Sequence, residues 1–339
     1  MSVHDRPLSR ARSQSRRRFL QTANVAAVSI ALSDTALSSV RTISQPIRLG
    51  MITDLHQDIM HDGPQRLGAF LAAMKVEPPD AIIQLGDFAV PSTKNQPLID
   101  MFNAAHPQAM HVLGNHDADG GYTYRQTMSA WGMQERYYFR DIDGVRVIVL
   151  DGNEKPPNHQ GGYPSYIGLE QIQWLRETLD SHDGPIIVIS HQPLAGPWAI
   201  DNAKEVRSVV STAADRVLLA VNGHSHIDEL LRVGGVGYLH LNSASYVWVG
   251  NSFRHESYTP KIHKAHPRLA GACPYRESLF TTLTIDPVSG GIDIQGRVSQ
   301  WVGPSPAELG RDKHPDLIDG EQIVPAIRAR EIKRIATQA

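Results

Sequence analysis

Residues 47–56 read IRLGMITDLH and residues 81–87 read AIIQLGD. In both, a short apolar run of buried-strand length stops at residues that bind metals: Asp54 and His56 after the first, Gly86-Asp87 after the second. The pattern repeats downstream. Runs at 109–113, 185–190 and 216–221 end in Gly114-Asn115-His116-Asp117, in His191 and in Gly223-His224-Ser225-His226. A sixth run, 145–150, ends in Asp151-Gly152, read as a loop without chemistry. Helix-like segments separate several runs, most clearly 168–179, where Leu169, Ile172, Leu175 and Leu179 share a face at helical spacing. Continuous apolar strands alternating with helices predict an α/β architecture, its sheet covered on both faces. In such sheets ligands collect at the carboxyl ends of the strands.

Taken singly, an Asp-x-His on a loop is ordinarily solvated surface, and a Gly-Asp is ordinarily a turn. Five strand ends carrying oxygen and nitrogen ligands in one chain are harder to assign to chance. Two cations about 3.5–4 Å apart need a bridging carboxylate, neutral imidazoles and oxygen ligands on each side. Asp87, directly after its strand and preceded by a glycine that permits close backbone approach, is the expected bridge. Asp54, His56 and His226 are expected to hold one ion, and Asn115, His191 and His224 the other.

This set of blocks, in this order and at strand ends, resembles the calcineurin-like metallophosphoesterases over roughly residues 47–294. The resemblance implies a four-layer α/β/β/α sandwich with mixed sheets and the helices outside. It also implies two divalent or trivalent ions (Mn, Fe or Zn) and hydrolysis of small phosphodiesters, nucleotides or phosphomonoesters by a hydroxide bridging the metals. His116, beside a ligand but not itself one in the family pattern, is by resemblance the general acid, the alternative being an outer hydrogen-bonding partner. Asp117 is a candidate either to orient His116 or to cap the following turn. Ser/Thr protein phosphatases continue their second block as Gly-Asp-x-x-Asp-Arg-Gly, whereas this chain reads Gly86-Asp87-Phe88-Ala89-Val90-Pro91. Purple acid phosphatases carry a Tyr where Val90 stands and lack the histidine matching His56. The remaining resemblance is to the bacterial phosphodiesterase, cyclic-nucleotide phosphodiesterase and nucleotide-diphosphatase branch, which is broad in substrate. The alternatives are a non-catalytic binding module on the same fold and a nuclease.

Composition narrows the partners. Among 339 residues, 33 basic against 35 acidic give a formal charge of −2, with no overall footprint for nucleic-acid binding. The single cysteine, Cys273, excludes an internal disulfide and a thiolate cluster and is read as a buried small residue. Sixteen histidines supply the alternative ligands. A small phosphorylated substrate is the expected partner, with neither a specific nucleic acid nor a stable membrane partner.

Residues 1–40 read as an address. Six arginines from Arg6 to Arg18 precede a weakly apolar stretch at 19–32 and small residues at 36–38. The run Ser15-Arg16-Arg17-Arg18-Phe19-Leu20-Gln21 resembles a twin-arginine signal, implying export by that machinery to the periplasm or another extracytoplasmic space. The catalytic domain is expected over 45–300, followed by a polar tail, 301–339, with a helix at 322–339. Strands at 279–285 and 291–298 are predicted to pair antiparallel and close the second sheet. Candidates to line the cleft are 161–164, 193–198, with Trp198, and 243–248, with Tyr246. Both aromatics are candidates for ring stacking, the alternative being local packing. Residues 251–276 read as a lid or a surface insertion.

Overall fold

The computed structural model describes residues 28–33, 45–286, 291–311, 313, 317 and 321–335. The first part of the chain forms β1 (Val28–Ser33), β2 (Ile47–Ile52), α1 (Gly63–Val76), β3 (Ala81–Gln84), α2 (Gln96–Asn103), β4 (Ala109–His111) and α3 (Tyr124–Trp131). A second series follows: β5 (Tyr138–Ile142), β6 (Val145–Val149), α4 (Leu169–Asp180), β7 (Ile186–Ser190), α5 (Ala203–Val210), β8 (Val217–Asn222), β9 (Glu229–Val233) and β10 (Val236–His240). The remainder comprises β11 (Tyr246–Trp248), α6 (Pro260–Ala265), β12 (Ala272–Pro274), β13 (Thr281–Ile285), β14 (Ile292–Ile294), β15 (Arg297–Val298), β16 (Ala326–Ile327) and β17 (Arg330–Ile335).

Two large mixed sheets result. One runs β1-β17-β14-β13-β2-β3-β4, the other β5-β6-β7-β8-β10-β9. Strands β2, β3 and β4 are mutually parallel, as are β6, β7, β8 and β10. Their inward side chains meet in one core: Leu49, Met51 and Ile83 from the first sheet, Val147, Ile187 and Leu219 from the second. Helices cover the outer faces. Leu67 and Phe70 of α1 pack with Ile82 on one side, and Leu175 of α4 and Val206 of α5 pack with Val188 on the other. The order is thus helix, sheet, sheet, helix, as expected. Both faces of the parallel strands are covered, which is why these strands read as unbroken apolar runs.

Local chemistry sets the helix ends. A reciprocal capping box joins Thr123 and Gln126 at the start of α3, and Gly132 closes it in the left-handed region at φ 77°. Pro64 and Pro97 stand in the first turns of α1 and α2, where a missing N–H costs nothing. Helix α4 begins at Leu169 after Gly168 and buries Ile172, Leu175 and Leu179, whereas Leu169 itself is exposed.

Two expectations need correction. Strands β13 and β14 do pair antiparallel, but β13 lies beside β2 and belongs to the first sheet. The expected C-terminal helix is absent among the described residues of 322–339; Arg330–Ile335 is a strand paired with β14. Ile332 and Arg330 are buried, and Arg330 is held by Asp228, its two guanidinium nitrogens 2.7 and 2.8 Å from the carboxylate oxygens. Arg328 pairs with the same carboxylate. This cluster anchors the C-terminal segment to the loop that carries His226. Within the segment read as a signal, residues 28–33 form β1 parallel to β17, while the paired arginines lie outside the described residues. Among the described residues no helix is long and apolar enough to cross a membrane.

Candidate metal centre

Each expected ligand lies within the four residues that follow a strand of one of the two sheets. Asp54 and His56 come after β2, Asp87 after β3, Asn115 after β4, His191 after β7, and His224 and His226 after β8. All five strands deliver their carboxyl ends to the same edge, and backbone bonds knit the loops together. The Asp54 amide donates to the Gly86 carbonyl at 3.0 Å, the His56 amide to Asp87 at 2.8 Å, and the Gly223 amide to His191 at 3.1 Å.

Strain is concentrated here. Among the described residues, seven non-glycine residues have positive φ, and five are Asp54, His56, Asp87, His224 and His226. Asp and His tolerate this region better than most residues, yet each instance costs roughly 1–3 kcal/mol. Gly86 sits at φ 99°, and a Cβ there would lie 2.5 Å from Nδ1 of His191. A Cβ on Gly223 would run into Thr53 and the Asp54 carboxylate. Both positions need glycine so that two loops can close on each other.

The ligand atoms converge in two groups, Asp54 with His56 and His226, and Asp87 with His191 and His224. In the first, Nε2 of His226 lies 3.1 Å from both Oδ1 of Asp54 and Nε2 of His56. In the second, Nε2 of His191 lies 3.3 Å from Oδ2 of Asp87 and 3.2 Å from Oδ1 of Asn115. The groups adjoin through Asp87, whose Oδ2 is also 3.7 Å from Nε2 of His56.

Outer bonds aim these atoms. Nδ1 of His191 donates to the Leu85 carbonyl at 2.8 Å, which directs Nε2 into the cluster. Oδ2 of Asp54 accepts from Oγ1 of Thr53 at 2.6 Å and from the His224 amide at 3.0 Å. Tyr246 is buried and stacks on the His56 ring, centroids 4.9 Å apart, so it packs under a ligand rather than presenting a stacking face.

Electrostatics agree with a cation site. Burial pushes His56 and His224 down to about 3, leaving neutral imidazoles with a lone pair to give. For His191 burial opposes protonation, but the charge and hydrogen bond of Asp87 outweigh it and raise the group to about 9. Burial also opposes ionisation of Asp87 and Asp54, yet Asp87 is held well below the usual carboxylate range by His191 and Asp54 is lowered by His226. Two buried carboxylates ringed by imidazole nitrogens are the ligand chemistry of a borderline divalent or trivalent cation. The residues therefore fit two such ions.

Asp117 and His116 separate in role. The Asp117 carboxylate accepts from three backbone amides: Gly114 at 2.7 Å, Phe88 at 2.8 Å and Asp87 at 2.9 Å. It clamps two ligand loops together and does not orient His116. That task falls to Asp119, which the sequence reading did not single out: its Oδ2 accepts from Nδ1 of His116 at 2.8 Å. Tyr163 donates to the other oxygen of Asp119 at 2.7 Å, and Arg268 approaches Oδ2 at 3.4 Å. Burial opposes protonation of His116, but the Asp119 hydrogen bond and the charges of Asp87 and Asp119 outweigh it, raising the group above its ordinary value. The i,i+3 spacing of His116 and Asp119 within one turn is the signal that identifies the pair.

Asp151 is buried and structural. It forms an ion pair with Arg136, and its Oδ1 accepts from the Asn153 side chain at 2.8 Å. That side chain also donates to the Leu113 carbonyl at 2.9 Å and accepts from Gln192 at 2.6 Å, bracing the loops that carry Asn115 and His191.

A family model described as calcineurin-like phosphoesterase matches residues 47–228. No curated protein matches the chain. Among solved structures, a dimetal phosphatase from Danio rerio is 15% identical, with a TM-score of 0.52 over 76% of this chain and 98% of that one. GAP50, described as the anchor in the inner membrane complex of Plasmodium, is 14% identical, with a TM-score of 0.45 over 72% and 86%. A phosphopantetheinyl hydrolase from Mycobacterium tuberculosis is 14% identical, with a TM-score of 0.39 over 67% and 94%. At 15% identity the likeness to the Danio rerio phosphatase concerns the fold alone.

Proposed function

The chain belongs to the calcineurin-like phosphoesterase family, and from that premise we propose that it is a hydrolase of small phosphorylated esters that works with two bound cations. The observation that carries the reading is the adjoining pair of ligand groups meeting at Asp87. Asp54, His56 and His226 would hold one ion, Asn115, His191 and His224 the other, with Asp87 between them. When bound, such a pair supplies Lewis acidity at the phosphoryl oxygens and activates water near neutral pH. Mn, Fe and Zn all suit the nitrogen and oxygen ligands.

The chain's own residues supply the rest. Water's oxygen bonds to phosphorus, the P–O bond to the alcohol breaks, and the departing oxygen needs a proton. Asp119 occupies Nδ1 of His116, which leaves Nε2 as the nitrogen that gives that proton. The test is metal analysis of the full chain with an assay on bis(p-nitrophenyl) phosphate. About two ions per chain and hydrolysis that is lost on chelation and restored by Mn are expected. Neither metal nor hydrolysis would leave a binding scaffold.

For location we propose export by the twin-arginine route, supported by the order of the basic, apolar and small-residue regions in 1–40. Cell fractionation checks it. The chain is expected outside the cytoplasm, and Arg16→Lys with Arg17→Lys is expected to retain it inside. Equal distribution of the two forms would refute the route.

A further inference from the structure

The cleft over the ligand atoms encloses about 550 Å³, the scale of a whole small-molecule ligand rather than of one phosphoryl group. Its inner end is formed by His56, Asp87, His116 and His224. Beyond them the walls change character. Seven large hydrophobic side chains are exposed among the described residues, and three of them, Tyr163, Trp198 and Trp248, line this one cleft. Exposed aromatics clustered at one concavity mark a recognition surface. Trp198 holds its indole there from a left-handed backbone, φ 56°, a conformation unfavourable for a bulky residue. The Trp248 ring lies over Gly271, where a Cβ would come within 2.9 Å of it, so the glycine sets the height of the ring.

Cationic side chains share the same walls. Arg268 borders both the cleft and the smaller recess over Asp87 and His116, and it reaches Asp119. Arg311 and Lys313 border the large cleft, as the two indoles do, and not the recess over Asp87 and His116. Arg311 and Lys313 thus place cationic groups on one wall of a cleft in a chain of net charge −2, a feature that favours anions on that wall.

We propose that the outer part of the cleft is a recognition site for the remainder of the substrate, and that it selects a phosphoric ester carrying both a planar ring system and a second anionic group. Arg311 and Lys313 hold the second anion, as guanidinium and ammonium groups hold phosphate. Trp198 and Trp248 take the ring. Nucleotides with more than one phosphate have this chemistry. The proposal rests on the hydrolase reading for the position of the scissile group.

Calorimetry on the Mn-loaded full chain tests it with three probes. The α,β-methylene analogue of ADP has ring and two anions, AMP has ring and one phosphate, and methylenediphosphonate has anions and no ring. The ADP analogue is expected to bind about tenfold or more tighter than either other probe, each gain corresponding to roughly one decade of affinity. Arg311→Gln should erase most of the advantage over AMP, and Trp248→Leu most of the advantage over methylenediphosphonate. Equal affinities for the three probes, or advantages that survive both substitutions, overturn the proposal. Hydrolysis of bis(p-nitrophenyl) phosphate is measured in parallel. Its absence beside selective binding counts against the hydrolase reading and not against this ligand class, whereas hydrolysis without selectivity counts against the ligand class alone.

Discussion

Replacing Asp87 by Asn is expected to lower kcat/KM for bis(p-nitrophenyl) phosphate by at least ~100-fold and to reduce the bound metal below two ions per chain. Substitution of the outer partners of metal ligands alone typically costs roughly 10- to 100-fold, and Asp87 stands inside the cluster. Its Oδ2 lies 3.3 Å from Nε2 of His191 and 3.7 Å from Nε2 of His56, so it is the carboxylate that faces both ligand groups. Asn keeps the volume, the tolerance of positive φ and an oxygen able to accept from the His116 amide, the bond seen at 2.8 Å. It removes the charge. The fold should therefore persist, and circular dichroism and thermal melting would show this. Inductively coupled plasma analysis reads the metal content. An Asp87→Asn protein with two ions and full turnover would refute the bridging role. The contrast with Asp117 sharpens the test: that carboxylate is equally buried, but it is spent on three backbone amides, so its loss should act on stability before it acts on metal content.

What could be read in the sequence follows from what is local. The ligand blocks stand out because each is a polar break directly after a buried strand, and the strand that aims it is written beside it. The layers follow from the unbroken apolar runs. Sheet membership does not. Whether the pair β13–β14 joins one sheet or the other depends on pairing with β2, more than 200 residues away in the chain. The C-terminal strand was hidden for a related reason. In Arg330–Ile335 the alternation is present, with Ile332 buried between exposed Glu331 and Lys333, but the other inward residue is an arginine. Only Asp228, remote in sequence, makes Arg330 an interior residue. The choice left open at Asp117 has a different cause. Asp117 and Asp119 are both acidic and both close to His116, and only the path of the turn decides which carboxylate meets the ring and which meets the backbone.

That turn leads to the second large effect. His116→Asn is expected to lower turnover of alkyl phosphate esters by roughly 10²–10⁴-fold, the usual worth of a positioned proton donor, and turnover of p-nitrophenyl esters by much less. The asymmetry comes from the leaving group. An alkoxide departs only as it is protonated, whereas p-nitrophenolate departs unaided. His116 lines the cleft, its ring centroid 5.4 Å from that of His56, and its Nδ1 is fixed by Asp119. Asp119→Asn keeps a hydrogen-bonding side chain but removes the charge that raises His116, so it should reproduce the same leaving-group preference in weaker form. Steady-state kinetics on a matched pair of methyl and p-nitrophenyl esters measures both. If His116→Asn slows the two esters by the same factor, the imidazole positions the phosphoryl group and does not donate the proton, because a defect in binding or alignment is blind to the basicity of the departing oxygen.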